Sequence, residues 1–100
     1  MRPPPSAAHM TPANVDLGVA IRLLRRARRL TIEDLAFAAK MHPTYLSGIE
    51  RGRRNPTWDK LTALARALDI PVSALARDAE VQMQLAARMR EARRDLGLAA

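Results

Sequence analysis

The chain has no cysteine, which excludes disulfides and thiolate metal sites. Only three of its 100 residues are aromatic, too few for the stacking platform by which sequence-reading RNA modules hold bases. No apolar run approaches the ~20 residues of a membrane span. The opening residues, MRPPPSAAHM, put prolines where a signal peptide needs an apolar stretch. The two histidines, His9 and His42, stand far apart. There is no glycine-rich phosphate loop and no spaced set of carboxylates or metal ligands, so neither catalysis nor a metal or cofactor is expected.

What is present is arginine, alanine and leucine. Hydrophobic residues make up 48% of the chain, and with so few aromatics the core must come from Leu, Ile, Val, Met and Ala. That composition favours packed helices over a sandwich of β-branched strands, so an all-α fold is expected. Discounting the first twelve residues leaves about 85 to build one small domain, with no room for a separate sensor domain. The formal net charge is +7 and the pI is near 11.4. Arginine carries nearly all the positive charge, and its planar fork suits phosphate oxygens and guanine edges. A GC-rich genome would explain arginine in place of lysine, but not the excess of charge. A polyanionic partner is therefore expected.

Residues 1–12 read as a disordered tail, rich in Pro, Ala and Ser, in which Met10 could itself serve as a translation start. A first helix opens near Asn14 or Asp16, both able to cap it, and sets Leu17, Ala20, Ile21 and Leu24 on one face. Its other face carries Arg22, Arg25, Arg26, Arg28 and Arg29. For Arg22 and Arg26 a solvated basic face is the ordinary reading. Arg28 and Arg29 lie at the mouth of the next helix, within reach of phosphate.

The segment from Leu30 to Thr57 reads as two short helices across a tight turn, followed by a basic loop. Thr31 opens the first, which presents Leu35, Ala36 and Ala39 on one side. The chain turns through Lys40, Met41 and His42. Pro43 then restarts a helix with a φ suited to its first position, and Gly52 ends it where a left-handed residue is commonly needed. This is the plan of a helix-turn-helix, whose second helix lies in the major groove of DNA. Leu46 and Ile49 must face the core, leaving Pro43, Thr44, Tyr45, Ser47, Gly48 and Arg51 outward.

Thr44 is the first candidate for a base contact, since its hydroxyl can bond a purine edge and its methyl can pack on thymine. Capping its own first turn is the competing role. Ser47 and Tyr45 follow, with Tyr45 closer in character to a phosphate ligand. Pro43 completes the face, and Gly48 can only permit close approach. Phosphate gripping falls to Arg51, Arg53, Arg54 and Asn55, together with backbone N–H groups at Thr31 and Ile32. A merely solvated basic loop is the alternative.

A fourth helix is capped by Thr57, with Asp59 in its first turn, and carries Trp58, Leu61, Leu64, Ala65 and Leu68. Trp58 reads as a core or edge anchor rather than a base-stacking residue. Asp69 marks a chain reversal, and Ile70 to Leu75 give a short fifth helix. These elements make residues 13–78 the DNA-binding domain. Residues 79–97 form a further amphipathic helix whose stripe is Val81, Leu85, Met89, Ala92 and Leu96. Such a stripe has to be covered by its own domain, by a second copy or by another protein. Dimerisation through Val81, Leu85, Met89 and Leu96 is the favoured outcome.

The run Tyr45 to Pro56, YLSGIERGRRNP, resembles the recognition helix and following loop of the lambda-repressor-like Xre/Cro family of transcription regulators, especially the small controllers of restriction-modification operons. The resemblance extends from about Leu17 to Leu75 and implies a five-helix domain. It also implies that Arg25 pairs with Glu50 to set the recognition helix against the first helix. Three positions depart from the family pattern. Ile32 stands where many members place a phosphate-touching glutamine, Lys40 stands where glycine is common, and His42 replaces the usual Ser or Asp cap. The resemblance implies a cytoplasmic, nucleoid-associated repressor or autoregulator that binds an inverted repeat of double-stranded DNA as a homodimer. An antitoxin-like protein-binding module, with DNA binding secondary, is the competing reading.

Overall fold

The computed structural model describes residues 12–97, all in helices and their connections. The described residues form five helices: α1 Pro12–Ala27, α2 Ile32–Ala38, α3 Pro43–Glu50, α4 Trp58–Ala67 and α5 Val72–Asp95. The all-α expectation holds. The first helix starts earlier than its candidate caps, at Pro12, a residue suited to a first helical position. Asp16 accordingly sits inside the helix and is buried. The rest of the tail, residues 1–11, lies outside the described residues.

The core draws on every helix. Ile21, Leu35, Leu46, Ile49, Leu64, Leu68 and Leu75 are fully buried, and Ala36, Ala39 and Ala65 fill the gaps between them. Leu17 and Leu24 pack on this cluster from α1, as their spacing requires. The most extensive contact between elements is that of α5 on α1.

Successive helices are joined by the same device. At the end of α1, Leu30 N–H donates to Arg25 C=O at 3.1 Å and Arg29 N–H to Arg26 C=O at 2.9 Å, with Arg29 at φ +56°. The pair Met41 and Lys40 repeats this after α2, Arg53 and Gly52 after α3, and Ile70 and Asp69 after α4. This is the Schellman arrangement, in which a left-handed residue reverses the chain and the next residue bonds back. Only Gly52 among these four is a glycine; Arg29, Lys40 and Asp69 hold φ between +56° and +58° against the Cβ penalty. In three of the reversals the following residue, Leu30, Met41 or Ile70, is apolar and packs on the core.

Helix starts are equally local. Thr31 Oγ1 accepts from Asp34 N–H while Asp34 Oδ2 accepts from Thr31 N–H, both at 3.0 Å, a complete capping box. Thr57 Oγ1 accepts from Lys60 N–H at 3.3 Å.

Two expectations change. The short fifth helix and the appended amphipathic helix are one uninterrupted helix of 24 residues, α5, so no break falls between Asp78 and Ala79. Nothing between Leu75 and Glu80 is a helix breaker, which is why the chain does not stop there. Trp58, read as a core or edge anchor, is 66% exposed, because the first position of α4 lies at the solvent end of that helix. Phe37 is likewise 87% exposed on α2, and of the three aromatic residues Tyr45 alone packs on the core.

Candidate nucleic-acid interface

Helices α2 and α3 form the helix-turn-helix. His42 has extended backbone geometry and its Nδ1 accepts from Thr44 N–H at 3.0 Å, so it does cap α3. An imidazole accepting at Nδ1 carries its proton on Nε2. With the cap supplied by His42, the exposed Thr44 takes part in it through its backbone N–H. Leu46 and Ile49 are fully buried, and this fixes the opposite face of α3 outward. On that face Thr44 and Arg51 are exposed, whereas Pro43, Tyr45, Ser47 and Gly48 are half-buried. Tyr45 also packs on the core cluster.

The position of α3 is fixed at its C-terminal end. Arg25 Nε donates to Glu50 Oε2 at 2.8 Å and Arg25 Nη2 to Glu50 Oε1 at 3.1 Å, a side-on, two-bond pair with both residues buried. Arg25 Nη1 also donates to Leu30 C=O at 2.8 Å, tying the end of α1 into the same group. Donating to the Glu50 carboxylate holds the guanidinium above its ordinary pKa, against the opposing effect of burial. Two glycines allow the helices to meet. A Cβ on Gly18 would press on the carbonyl oxygen of Ile49 and lie 2.5 Å from that of Glu50. One on Gly52, at φ +75°, would lie 2.7 Å from Val15 Cγ2. The sequence reading passed over Gly18, whose signal was a glycine in the middle of a strong helical stripe, where it costs about 1 kcal/mol unless close approach requires it.

The basic loop folds back on α3. Arg53 and Arg54 N–H groups both donate to Gly48 C=O, at 2.9 and 3.2 Å. The stem of Arg54 lies over Gly48, so a Cβ there would meet Arg54 Cγ at 2.6 Å. The space above Gly48 therefore belongs to Arg54. Arg51, Arg53, Arg54 and Asn55 are all exposed, and buried Pro56 returns the chain to the domain. Thr31 is exposed at the start of α2, but its backbone N–H, expected to be free for phosphate, already donates to Asp34 in the capping box, and the Ile32 side chain packs against the core.

A cleft of about 210 Å³ opens between α1, α2 and α3, lined by Arg22, Arg25, Ile32, Ser47, Glu50 and Arg51. Ser47 thus faces α1 and α2 as well as the outer surface. Arg22, assigned above to a solvated face, is brought beside α3. Arg28 folds back along its own helix, Nη1 donating to Leu24 C=O at 3.3 Å. On α5 the half-buried positions Asp78, Ala79, Gln82 and Ala86 mark the face set toward α1. Val81 shares a groove with Leu23 and Leu24, while Leu85, Met89 and Leu96 stay largely in solvent. Among the described residues no cluster of His, Asp or Glu could hold a metal ion, and no helix is long and apolar enough to cross a membrane.

The immunity repressor of Bacillus phage phi105 is 36% identical over 92 residues, a match covering 80% of this chain and 64% of the repressor. The chain thus spans less than two thirds of that protein. Among solved structures, the clp gene regulator ClgR from Corynebacterium glutamicum superimposes with a TM-score of 0.81 at 32% identity, over 84% of this chain and 89% of ClgR. The restriction-modification controller protein C.Esp1396I, solved as a tetramer with its 35-base-pair operator, gives 0.67 at 26% identity over 72% of this chain and 95% of that one. Residues 16–77 match the family described as helix-turn-helix domain. With the buried Arg25–Glu50 pair, the capped turn and the outward face of α3 in place, this chain belongs to the helix-turn-helix family, of the lambda-repressor-like Xre/Cro type.

Proposed function

We propose that the protein is a sequence-specific regulator of transcription that binds double-stranded DNA by laying α3 in the major groove. The observation that carries this reading is the pairing of an outward α3 face, led by exposed Thr44, with the exposed cations Arg51, Arg53 and Arg54 folded against that helix. Base edges are read by Thr44 first, with Tyr45, Ser47 and Pro43 beside it, and phosphates are held by Arg51, Arg53, Arg54 and Asn55. The regulators named above support the assignment, and the operator complex of C.Esp1396I supports DNA as the ligand. Such a protein works in the cytoplasm on the nucleoid.

The working unit is a homodimer on an inverted repeat, its subunits joined through the exposed apolar residues Val81, Leu85 and Met89 of α5 and Leu96 at its C-terminal cap. The same stripe favours a second reading, in which it covers another protein. Selection of bound duplexes from a randomised pool at near-physiological salt tests the function. An enriched inverted repeat with half-sites about one helical turn apart is expected. Enrichment of single half-sites would remove the dimer, and no enrichment would remove sequence-specific regulation.

A further inference from the structure

We infer that His42 is a positioning residue for sequence readout and performs that role only in its neutral form, so that acid loosens the reading end of α3 and lowers discrimination between duplexes. This rests on the DNA-binding reading above and extends it to the residue that precedes the helix. His42 has extended backbone, at φ −72° and ψ 139°, and its Nδ1 takes the Thr44 N–H at 3.0 Å. The rest of the first turn leans on the same residue. Pro43 has no N–H to offer, and Leu46 N–H donates to His42 C=O at 3.1 Å. His42 is thus the side chain that holds the amino end of an eight-residue helix. The residue it grips by the backbone is Thr44, the exposed candidate for a base contact.

An imidazolium donates at both nitrogens and accepts at neither. Protonation therefore breaks the bond to Thr44 and leaves a cation at the positive end of the helix dipole. Nothing beside the ring offsets that cation. The first turn of α3 carries no acid, and His42 takes part in no ion pair among the described residues. On α2, Glu33 and Asp34 lie in the first turn, at the end away from His42, and Asp34 is engaged by Thr31. On α1, Arg25 is engaged by Glu50, and Arg22 joins them beside the other end of α3 with Arg51. The charges left near the turn are cations, Lys40 within it and Arg66 of α4, which shares a shallow hollow with Lys40. A serine or asparagine here would cap without changing charge between pH 5 and 8, whereas histidine is the side chain whose charge ordinarily changes there.

The test uses the full chain, nitrogen-15 spectra of its ring and backbone, and two fluorescein-labelled duplexes, one enriched by the selection above and one of mixed sequence. At pH 7.5 the His42 ring is expected as the Nε2–H tautomer, and on acidification to pH 5.5 the Thr44 amide resonance should move with the ring. Over the same interval, at constant ionic strength, the ratio of the two affinities is expected to fall by up to about five-fold, equivalent to the ~1 kcal/mol of a side-chain cap. His42→Asn, a cap that does not titrate, holds the ratio constant. His9→Gln, which removes the other histidine, keeps the wild-type profile. An Nδ1–H tautomer, a Thr44 amide that ignores the ring, a constant ratio in the wild type or an equal fall in His42→Asn would each overturn the inference while leaving DNA reading intact. A wild type that enriches no duplex, or binds both alike at pH 7.5, would overturn the sequence-reading function and the inference with it.

Discussion

Glu50, the last residue of the helix proposed to read DNA, takes both of its side-chain hydrogen bonds from one residue of the first helix, Arg25. Removing one member of a buried pair leaves an uncompensated charge, whereas replacing both with apolar groups removes the desolvation problem as well. Glu50→Ala is expected to destabilise the fold by about 3 kcal/mol. The double variant Arg25→Leu with Glu50→Leu should lose less than the two single changes summed. Urea titration of the wild type, Arg25→Leu, Glu50→Leu and the double variant measures the coupling, and additive losses would mean that the pair does not act as a unit.

Gly18 and Gly48 make opposite predictions for the same substitution. At Gly18 the added methyl meets backbone carbonyls of α3, which no rotamer change can relieve. Gly18→Ala should therefore cost about 1–3 kcal/mol or more, despite the better helix propensity of alanine. At Gly48 the obstacle is the Arg54 side chain, which can swing away. Gly48→Ala should leave the melting temperature near that of the wild type while displacing Arg54 from α3. Thermal unfolding of both variants separates the cases.

Asp69 offers a stabilising change away from the proposed interface. It holds φ +58° at the reversal after α4, where a Cβ is penalised by about 1–2 kcal/mol. Asp69→Gly relieves this and forfeits part of the gain to unfolded-state entropy. A net gain of about 1 kcal/mol corresponds to a rise of roughly 4–8 °C in melting temperature. A lower melting temperature would show that the Asp69 side chain does more than tolerate the turn.

The capping box at α2 carries a pH signature. Hydrogen bonds from Thr31, its backbone N–H first, hold the Asp34 carboxyl below its ordinary pKa. A carboxyl with a depressed folded-state pKa adds stability that is fully present above its unfolded value and is lost as pH falls through the folded one. The melting temperature of the wild type should exceed that of Asp34→Ala at neutral pH, with the gap closing as the solution is acidified through the aspartate range. A gap independent of pH would separate the cap from the charge of Asp34.

For DNA, Thr44→Ala should cost on the order of 1–3 kcal/mol on the selected site and relax preference at one base pair. Arg53→Ala should weaken every duplex alike and lower the salt slope by about 1. A uniform loss for Thr44→Ala across sequences would remove its base contact, and an unchanged slope for Arg53→Ala would remove its phosphate.

Local chemistry was legible in the sequence wherever one residue type served one need. Thr31, Pro43, Gly52 and Thr57 marked helix ends because capping and reversal depend on near neighbours. The stripe of Leu17, Ala20, Ile21 and Leu24 gave the buried face of α1 because period decides it. What escaped were properties set by the meeting of distant segments. Gly18 looked like a weak point in a helix until Ile49 and Glu50 were placed against it, and Arg22 looked like Arg26 until α3 was set beside it. Trp58 was misjudged because residue type predicts burial only on average, while position on the helix decides it. The junction at residues 78–79 disappeared because two apolar patterns with different partners can share one continuous backbone.

That continuity makes α5 a lever. Twenty-four residues at 1.5 Å each give a rod about 36 Å long, anchored at one end by Leu75 in the core and free of any hinge toward Asp95. Whatever grips the far half of the rod sets the distance and tilt at which α3 is held out, as a handle sets the reach of a tool. Changes of one residue in its length would rotate the grip by about 100° around the rod without touching a single DNA-facing side chain.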